Sequence, residues 1–346
     1  MNNEKGNQGN TSGQTEVLPL DQFCDTIRSM ESQGEDGIAL LNDAIARGDA
    51  PRLIAQDEVQ HSRRLEQITT DITRRFRHGS MHLVLVAGAS CSGKTTTSRF
   101  LTHMLLDNGI EPKVVSIDNY FMDADKRPLD EDGNRDYESF YGVDVKQLER
   151  DVNSLLAGDM VPMPTYDYVQ GCRKYDGKNL RLETNNLLFL EGLHALNPQL
   201  VPGVSDELKY RLFVTAETDL FGNEERAVLT KHDNRLLRRI YRDYNSRGAS
   251  ALQTLQWWPS VLRGEEKWIL PFADQADACF NTSMVFELSA IKPRVQSLLC
   301  EVPHDEPQWN VAQRLYALLD RIAPLSADDF AAIAPLRKFL LSNDGK

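Results

Sequence analysis

Residues 88–95 read Gly-Ala-Ser-Cys-Ser-Gly-Lys-Thr, and a second threonine, Thr96, follows. The spacing is G-x-x-x-x-G-K-T. Its glycines let the backbone turn so tightly that the N–H groups point inward at phosphate oxygens. Both flanks fit. His82-Leu-Val-Leu-Val-Ala87 is an apolar, β-branched run that reads as a buried strand. Thr95 to Leu106 carries Phe100, Leu101, Met104 and Leu105 at helical spacing. That helix adds the positive end of its dipole to the loop. Gly88, Ala89, Ser90, Cys91, Ser92, Gly93, Lys94, Thr95 and Thr96 thus form a candidate phosphate cradle, in which Lys94 reaches the outer phosphates and the Thr95 hydroxyl offers a ligand to Mg²⁺.

Outward from the loop, short apolar runs alternate with helical stretches. The further strand candidates are 113–117, 187–190, 210–214 and 283–288. Such alternation predicts a parallel sheet with helices on both faces, and ligands beyond the C-terminal ends of its strands. The phosphate-binding domain spans 81–300. Residues 159–184, punctuated by Pro162, Pro164, Gly171 and Gly177, break the alternation and read as a hairpin or flap. Residues 1–18 form a polar tail too poor in apolar side chains to fold. Residues 19–80 read as helices, with stripes at Leu20, Phe23 and Ile27, then Ile38, Leu40, Leu41 and Ile45, then a charged helix from Val59 to Phe76; packing on the core is expected of them. Residues 301–346 add an amphipathic helix from Trp309 to Ile322 and another from Ala327 to Leu341.

The chain has 346 residues, 41% of them hydrophobic, enough for a full core. No apolar run approaches the roughly 18 residues of a membrane span, and the first residues carry no apolar leader. The five cysteines (24, 91, 172, 279 and 300) are scattered, without zinc-binding spacing. A soluble, reduced, cytoplasmic protein is expected. A net charge of −12 argues against general nucleic-acid binding. One basic island stands against it: Lys231, Arg235, Arg238, Arg239, Arg242 and Arg247. Arg235, Arg239 and Arg242 fall at i, i+4 and i+7 on one helical face. Arginine forks suit phosphate oxygens, so 231–250 reads as a lid over a nucleotide.

Two carboxylates close predicted strands. Asp118 follows Val114-Val-Ser-Ile117, where a carboxylate can orient a hydroxyl nucleophile, take its proton, or partner a metal. Glu191 ends Leu187-Leu-Phe-Leu190, a position suited to holding Mg²⁺. In the flap, Pro164-Thr-Tyr-Asp-Tyr168 and Arg173 offer an aromatic face and a cation to a flat polar substrate. Trp257, Trp258 and Trp268 are assigned to the core, and His194 to structure.

Five ordered motifs resemble the uridine kinase/phosphoribulokinase superfamily: the loop at 88–96, Ser116-Ile-Asp-Asn-Tyr-Phe121, Pro164-Thr-Tyr-Asp-Tyr168, Phe189-Leu-Glu-Gly192 and Arg238-Arg-Ile-Tyr-Arg-Asp-Tyr-Asn-Ser-Arg-Gly248. The stretch Trp258-Pro-Ser-Val-Leu-Arg-Gly-Glu-Glu-Lys-Trp-Ile-Leu-Pro-Phe272, with Asp277 to Asn281, resembles its longer, bacterial uridine kinase-like branch. The resemblance, which covers about 81–300, implies an α/β phosphate-loop NTPase fold with a doubly wound, five-stranded parallel sheet; the helical lid, the small flap and the helical N-terminal extension are read from the residues as above. It implies ATP and Mg²⁺, and transfer of the γ-phosphate to the 5′-hydroxyl of a small-molecule nucleoside. Asp118 matches the base, with Lys94 beside it. Thr95, Glu191 and Asp118 match the metal side, and Arg242 and Arg247 the phosphate. Tyr166, Arg173 and Arg239 match the nucleoside, with Glu138 where the family's aspartate meets the ribose hydroxyls. The chain departs from the pattern at Glu138 itself, at Gly171 in place of a flap histidine, and at Ala249 in place of a lid arginine. Pantothenate kinase-like, phosphoribulokinase-like and catalytically silent nucleotide-binding readings stay open, as does a homo-oligomer.

Overall fold

The computed structural model describes residues 37–329, apart from Ser80, Asp132, 218–219, 222–226, Thr230, Val285 and Ala327. Helices α1 (Gly37–Ala46) and α2 (Ala50–Arg77) lead into strand β1 (Leu83–Ala87), and the phosphate loop then runs into α3 (Lys94–Asp107). Strand β2 (Glu111–Ser116) ends in a 3-10 turn over Ile117–Tyr120, followed by α4 (Val145–Leu156). The antiparallel hairpin β3 (Val161–Asp167) and β4 (Cys172–Leu180) precedes β5 (Asn186–Glu191) and β6 (Lys209–Thr215). A short pair, β7 (Leu220–Phe221) and β8 (Ala227–Leu229), leads to α5 (Lys231–Arg242) and a π-helical turn over Asp243–Arg247. Then come α6 (Ala251–Trp268), β9 (Ala278–Asn281), α7 (Glu287–Cys300) and α8 (Trp309–Asp320).

Five strands form one sheet in the order β2-β5-β1-β6-β9, every pair parallel. Because successive side chains on a strand face opposite ways, β1 feeds two cores. Val84 and Val86 join Phe189, Leu212, Val214, Leu101 and Leu105 on one face, where Leu65, Ile68 and Ile72 of α2 also pack. Leu83, Leu85 and Ala87 join Leu188, Leu190, Leu148, Val152 and Leu155 on the other. All five side chains of β1 are buried, each contributing roughly 1.5–3 kcal/mol if a full-sized aliphatic. A third core lies among the helices. Ile38 and Leu41 of α1 and Ile54 of α2 meet Leu237 and Ile240 of α5, Leu255 of α6, Ile291 and Val295 of α7 and Leu315 of α8. The N-terminal helices therefore pack against both the sheet and the C-terminal helices. Among the described residues no helix is long and apolar enough to cross a membrane.

The fifth strand corrects the sequence reading. It is Ala278–Asn281, paired with Leu212–Thr215, whereas 283–288, expected as a strand, leads into α7, whose first residue is Glu287. Met284, Phe286 and Leu288 are apolar because they enter the helical core. Ala278–Asn281 is an edge strand in which only Phe280 is fully buried, so its apolar signal is weak. Trp258 is buried as expected, but Trp257 on the same helix is 48% exposed. The expected helix over Ala327–Leu341, apart from Asp328 and Asp329, the 1–18 tail, the stripe at Leu20, Phe23 and Ile27, and Cys24 lie outside the described residues.

Candidate active site

Parallel strands bring their C-terminal ends to one edge of the sheet, and the register shows which residues meet there. Glu191, last in β5, lies opposite Val86 of β1 on one side and Ser116 of β2 on the other. The phosphate loop leaves one neighbour immediately beyond; Asp118 stands two residues past the other. Three segments far apart in the chain are thus assembled by strand order alone.

The loop is built from behind. A Cβ on Gly88 would fall 2.1 Å from the Val214 carbonyl oxygen of β6, so no other residue fits this close passage. Cys91 holds a left-handed φ of 61°. The Ser92 hydroxyl is buried without a hydrogen-bond partner, and the first-turn N–H groups of α3 lie beyond the reach of intrahelical acceptors. These orphaned donors at a helix N-terminus fit a polyphosphate. Thr282, just past β9, braces the loop: its hydroxyl lies 2.7 Å from the Ser92 carbonyl oxygen and accepts from Arg238 Nη1 at 2.8 Å.

Lys94 Nζ donates to the Ala89 carbonyl at 3.1 Å. Burial pulls its ammonium below the usual lysine range, while the negative charges of Glu191 and then Asp118 pull it back up. Burial outweighs the two carboxylates, so the net direction is downward. Burial likewise lifts the Glu138 carboxyl above the usual carboxylate range, opposed by Arg239 and Lys94. Arg239 lies 4.0 Å from Glu138 and donates to the Ser90 hydroxyl at 3.0 Å, so it bridges the loop and Glu138. Thr95 is exposed at the start of α3. A Mg²⁺ bound with a polyphosphate keeps several waters and takes only one or two protein oxygens. Thr95, Glu191 and Asp118 fit that sparse donor set, and among the described residues no His/Cys/Asp/Glu cluster forms a complete metal cage.

The basic island divides. Arg235 and Arg238 are buried and ion-paired with Glu265 of α6 and Glu287 of α7. They still reach the back of the loop: Arg235 donates to the Ser90 carbonyl at 3.4 Å, Arg238 to that of Cys91 at 3.3 Å. The other three arginines surround Asp243, which is wholly buried. Arg239 donates to its Oδ2 at 3.2 Å, Arg242 to its Oδ1 at 2.7 Å, and Arg247 lies 3.6 Å away. Three guanidinium groups facing Asp243 and, through Arg239, Glu138 leave excess positive charge beside the loop, which favours an anion there. Sequence reasoning placed the arginines but missed Asp243, Glu265, Glu287 and Thr282. Asp243 at i+4 from Arg239 was the one local signal; the other partners are remote in the chain.

The flap closes the other side. Tyr166 N–H donates to the Asn119 side chain at 3.2 Å, which ties β3 to the turn carrying Asp118. The Tyr166 ring meets Phe121 edge-on, and the Arg127 guanidinium lies 5.0 Å from its centre. Arg173, opposite Tyr166 in the hairpin, gives one Nη to Asp144 at 2.9 Å and keeps the other buried without a partner. Tyr168, which the sequence did not single out among the site residues, donates its hydroxyl to Asp118 at 3.2 Å.

A family model described as Phosphoribulokinase / Uridine kinase family matches residues 83–289. A uridine kinase of Halobacterium salinarum is 29% identical over 194 residues, covering 56% of this chain and 76% of its own. A uridine kinase of Streptococcus thermophilus is 27% identical over 224 residues, covering 63% of this chain and 95% of its own. A solved structure described as a possible uridine kinase from Bacillus stearothermophilus aligns with a TM-score of 0.42 at 16% identity, over 62% of this chain and 98% of that one.

Proposed function

The chain belongs to the phosphoribulokinase/uridine kinase family and is a phosphotransferase, and on that premise we propose that it transfers the γ-phosphate of ATP to the 5′-hydroxyl of a uridine- or cytidine-like nucleoside. The observation that carries this reading is the pairing of Asp118 with a flap. A carboxylate at the mouth of the phosphate loop is joined, through Asn119 and Tyr168, to a hairpin bearing an aromatic ring and Arg173. That surface suits a flat, polar acceptor whose hydroxyl must come up to Asp118.

In this mechanism the loop from Gly88 to Thr96 holds the phosphates, and Lys94 balances charge on the transferring group. A bound Mg²⁺, held by Thr95 and Glu191 with Asp118 nearby, would supply charge neutralisation across the outer phosphates. Asp118 orients the acceptor hydroxyl and takes its proton as the oxygen attacks phosphorus. Arg242 and Arg247 carry the excess positive charge beside the loop and stabilise the phosphoryl oxygens. Glu138, kept near Arg239, is suited to accept from the ribose hydroxyls; Tyr166 and Arg173 meet the nucleobase.

The test is ATP consumption by the purified protein with Mg²⁺ against a panel of nucleosides, pantothenate and ribulose 5-phosphate, with products identified by mass. A 5′-monophosphate from uridine or cytidine is expected. Phosphorylation of pantothenate or ribulose 5-phosphate alone would move the acceptor and overturn the nucleoside assignment. ATP binding with no acceptor phosphorylated would favour a silent regulator.

A further inference from the structure

Tyr168 stands at the end of the flap, beside the turn at Val169, and 66% of its surface is exposed. An exposed aromatic ring at a loop tip usually has no fixed partner. This one has two. Its ring meets Tyr166 edge-on at 5.2 Å between centres, and Tyr166 in turn meets Phe121 at 5.8 Å, so the exposed side chain is anchored on a buried stack. Its hydroxyl turns inward and donates to Asp118 Oδ2 at 3.2 Å.

The phenolic O–H thus does to Asp118 what an acceptor hydroxyl must do at the start of phosphoryl transfer. A phosphotransferase with ATP bound and no acceptor faces a competing reaction. The oxygen of a water forms a bond to the γ-phosphorus, the bond from that phosphorus to the β–γ bridging oxygen breaks with ADP as leaving group, and the water's proton passes to the base. Any water doing so must hydrogen-bond to Asp118.

We propose that the Tyr168 hydroxyl holds, in the acceptor-free enzyme, the place on Asp118 that the acceptor hydroxyl later takes, and so decides between transfer and hydrolysis. The acceptor displaces the phenol; water, smaller and without contacts to the flap, does not. The ring's exposed side gives it room to swing out without breaking the core beneath. This rests on Asp118 being the base of the phosphotransferase.

The test uses the full chain with ATP and Mg²⁺ and no acceptor. Tyr168→Phe keeps the ring on Tyr166 and removes only the hydroxyl, and Tyr168→Ala removes both. ATP hydrolysis is expected to rise about tenfold in Tyr168→Phe, the scale of one lost hydrogen bond to a charged group, and further in Tyr168→Ala. With uridine added, moles of product per mole of ATP consumed should fall. Adding Asp118→Asn to Tyr168→Phe should abolish the rise, because the water then lacks its base. The proposal is overturned if both Tyr168 variants hydrolyse ATP at the wild-type rate, if the rise survives Asp118→Asn, or if phosphate appears on Tyr168 itself, which would make it an acceptor. A wild type that couples ATP to nucleoside with unchanged Tyr168 variants sinks this proposal alone. A wild type that binds ATP but phosphorylates nothing sinks the underlying reading as well.

Discussion

Replacing Gly264 with alanine sets two physical effects against each other with opposite signs. Gly264 lies inside α6, where helix propensity by itself makes alanine better by about 1 kcal/mol. Its face is pressed against Glu138. An added Cβ would sit 2.2 Å from the Glu138 Cβ and 3.0 Å from its Cγ. Carbon atoms pack at about 3.5–4.0 Å, so α6 and the segment carrying Glu138 must separate by roughly 1.5 Å at this point. Glu138 is itself buried, and the colliding atoms are close to its backbone rather than at a flexible tip. Overpacking of this kind costs about 1–3 kcal/mol. Set against the helical gain, a net loss of up to about 2 kcal/mol is expected in urea unfolding. The movement would also draw Glu138 from Arg239, now 4.0 Å away. A displacement of about 1 Å in a substrate-positioning group can cost about a hundredfold, so kcat/KM for the nucleoside should fall on that scale while ATP affinity changes far less. A Gly264→Ala protein more stable than wild type, with an unchanged acceptor KM, would refute the reasoning.

Asp118→Asn should lower turnover about 10²–10⁴-fold, the usual worth of a general base, and spare ATP binding; steady-state kinetics beside equilibrium nucleotide binding checks both halves. Glu287→Ala leaves Arg238 buried without its carboxylate and should destabilise by about 3–5 kcal/mol. It should also weaken ATP binding, because Arg238 contacts Thr282 and the Cys91 carbonyl behind the loop. Stability should fall in mild acid. Burial pushes His61 and His194 down to about 4 from an ordinary value of 6.5. As pH drops from 6.5 toward 4 the unfolded chain takes up protons that the folded one refuses, so up to about 3 kcal/mol per histidine is lost across that window and little more below it. Urea unfolding at pH 7.5, 6 and 4.5 should show the decline, and His61→Gln and His194→Gln should each flatten it.

Much of the fold was legible because its signals are local. The phosphate loop carries its own glycines, its preceding strand and its following helix within about 25 residues, and the alternation of short apolar runs with helices specified a parallel sheet. Prolines and glycines marked the β3–β4 hairpin. Asp118 and Glu191 could be singled out because a parallel sheet delivers every strand's C-terminal end to one edge. Reading fails at the fifth strand because Phe280 is the one fully buried side chain of a short edge strand, while Met284, Phe286 and Leu288 advertise a strand and instead feed the helical core.

The sequence by itself thus determined the parallel-sheet class, the loop and the candidate chemistry, since each is written within a few turns of chain. Only the tertiary structure decided how the arginines of α5 divide. Arg235 and Arg238 are neutralised by Glu265 and Glu287, 30 and 49 residues away along the chain, whereas Arg239, Arg242 and Arg247 gather on Asp243, with Arg239 also facing Glu138. It alone seated Glu138 against Gly264 and brought the Tyr168 hydroxyl to Asp118, 50 residues away. Charge compensation and close packing depend on which atoms meet in space, and for partners this remote the folded chain alone sets the meeting.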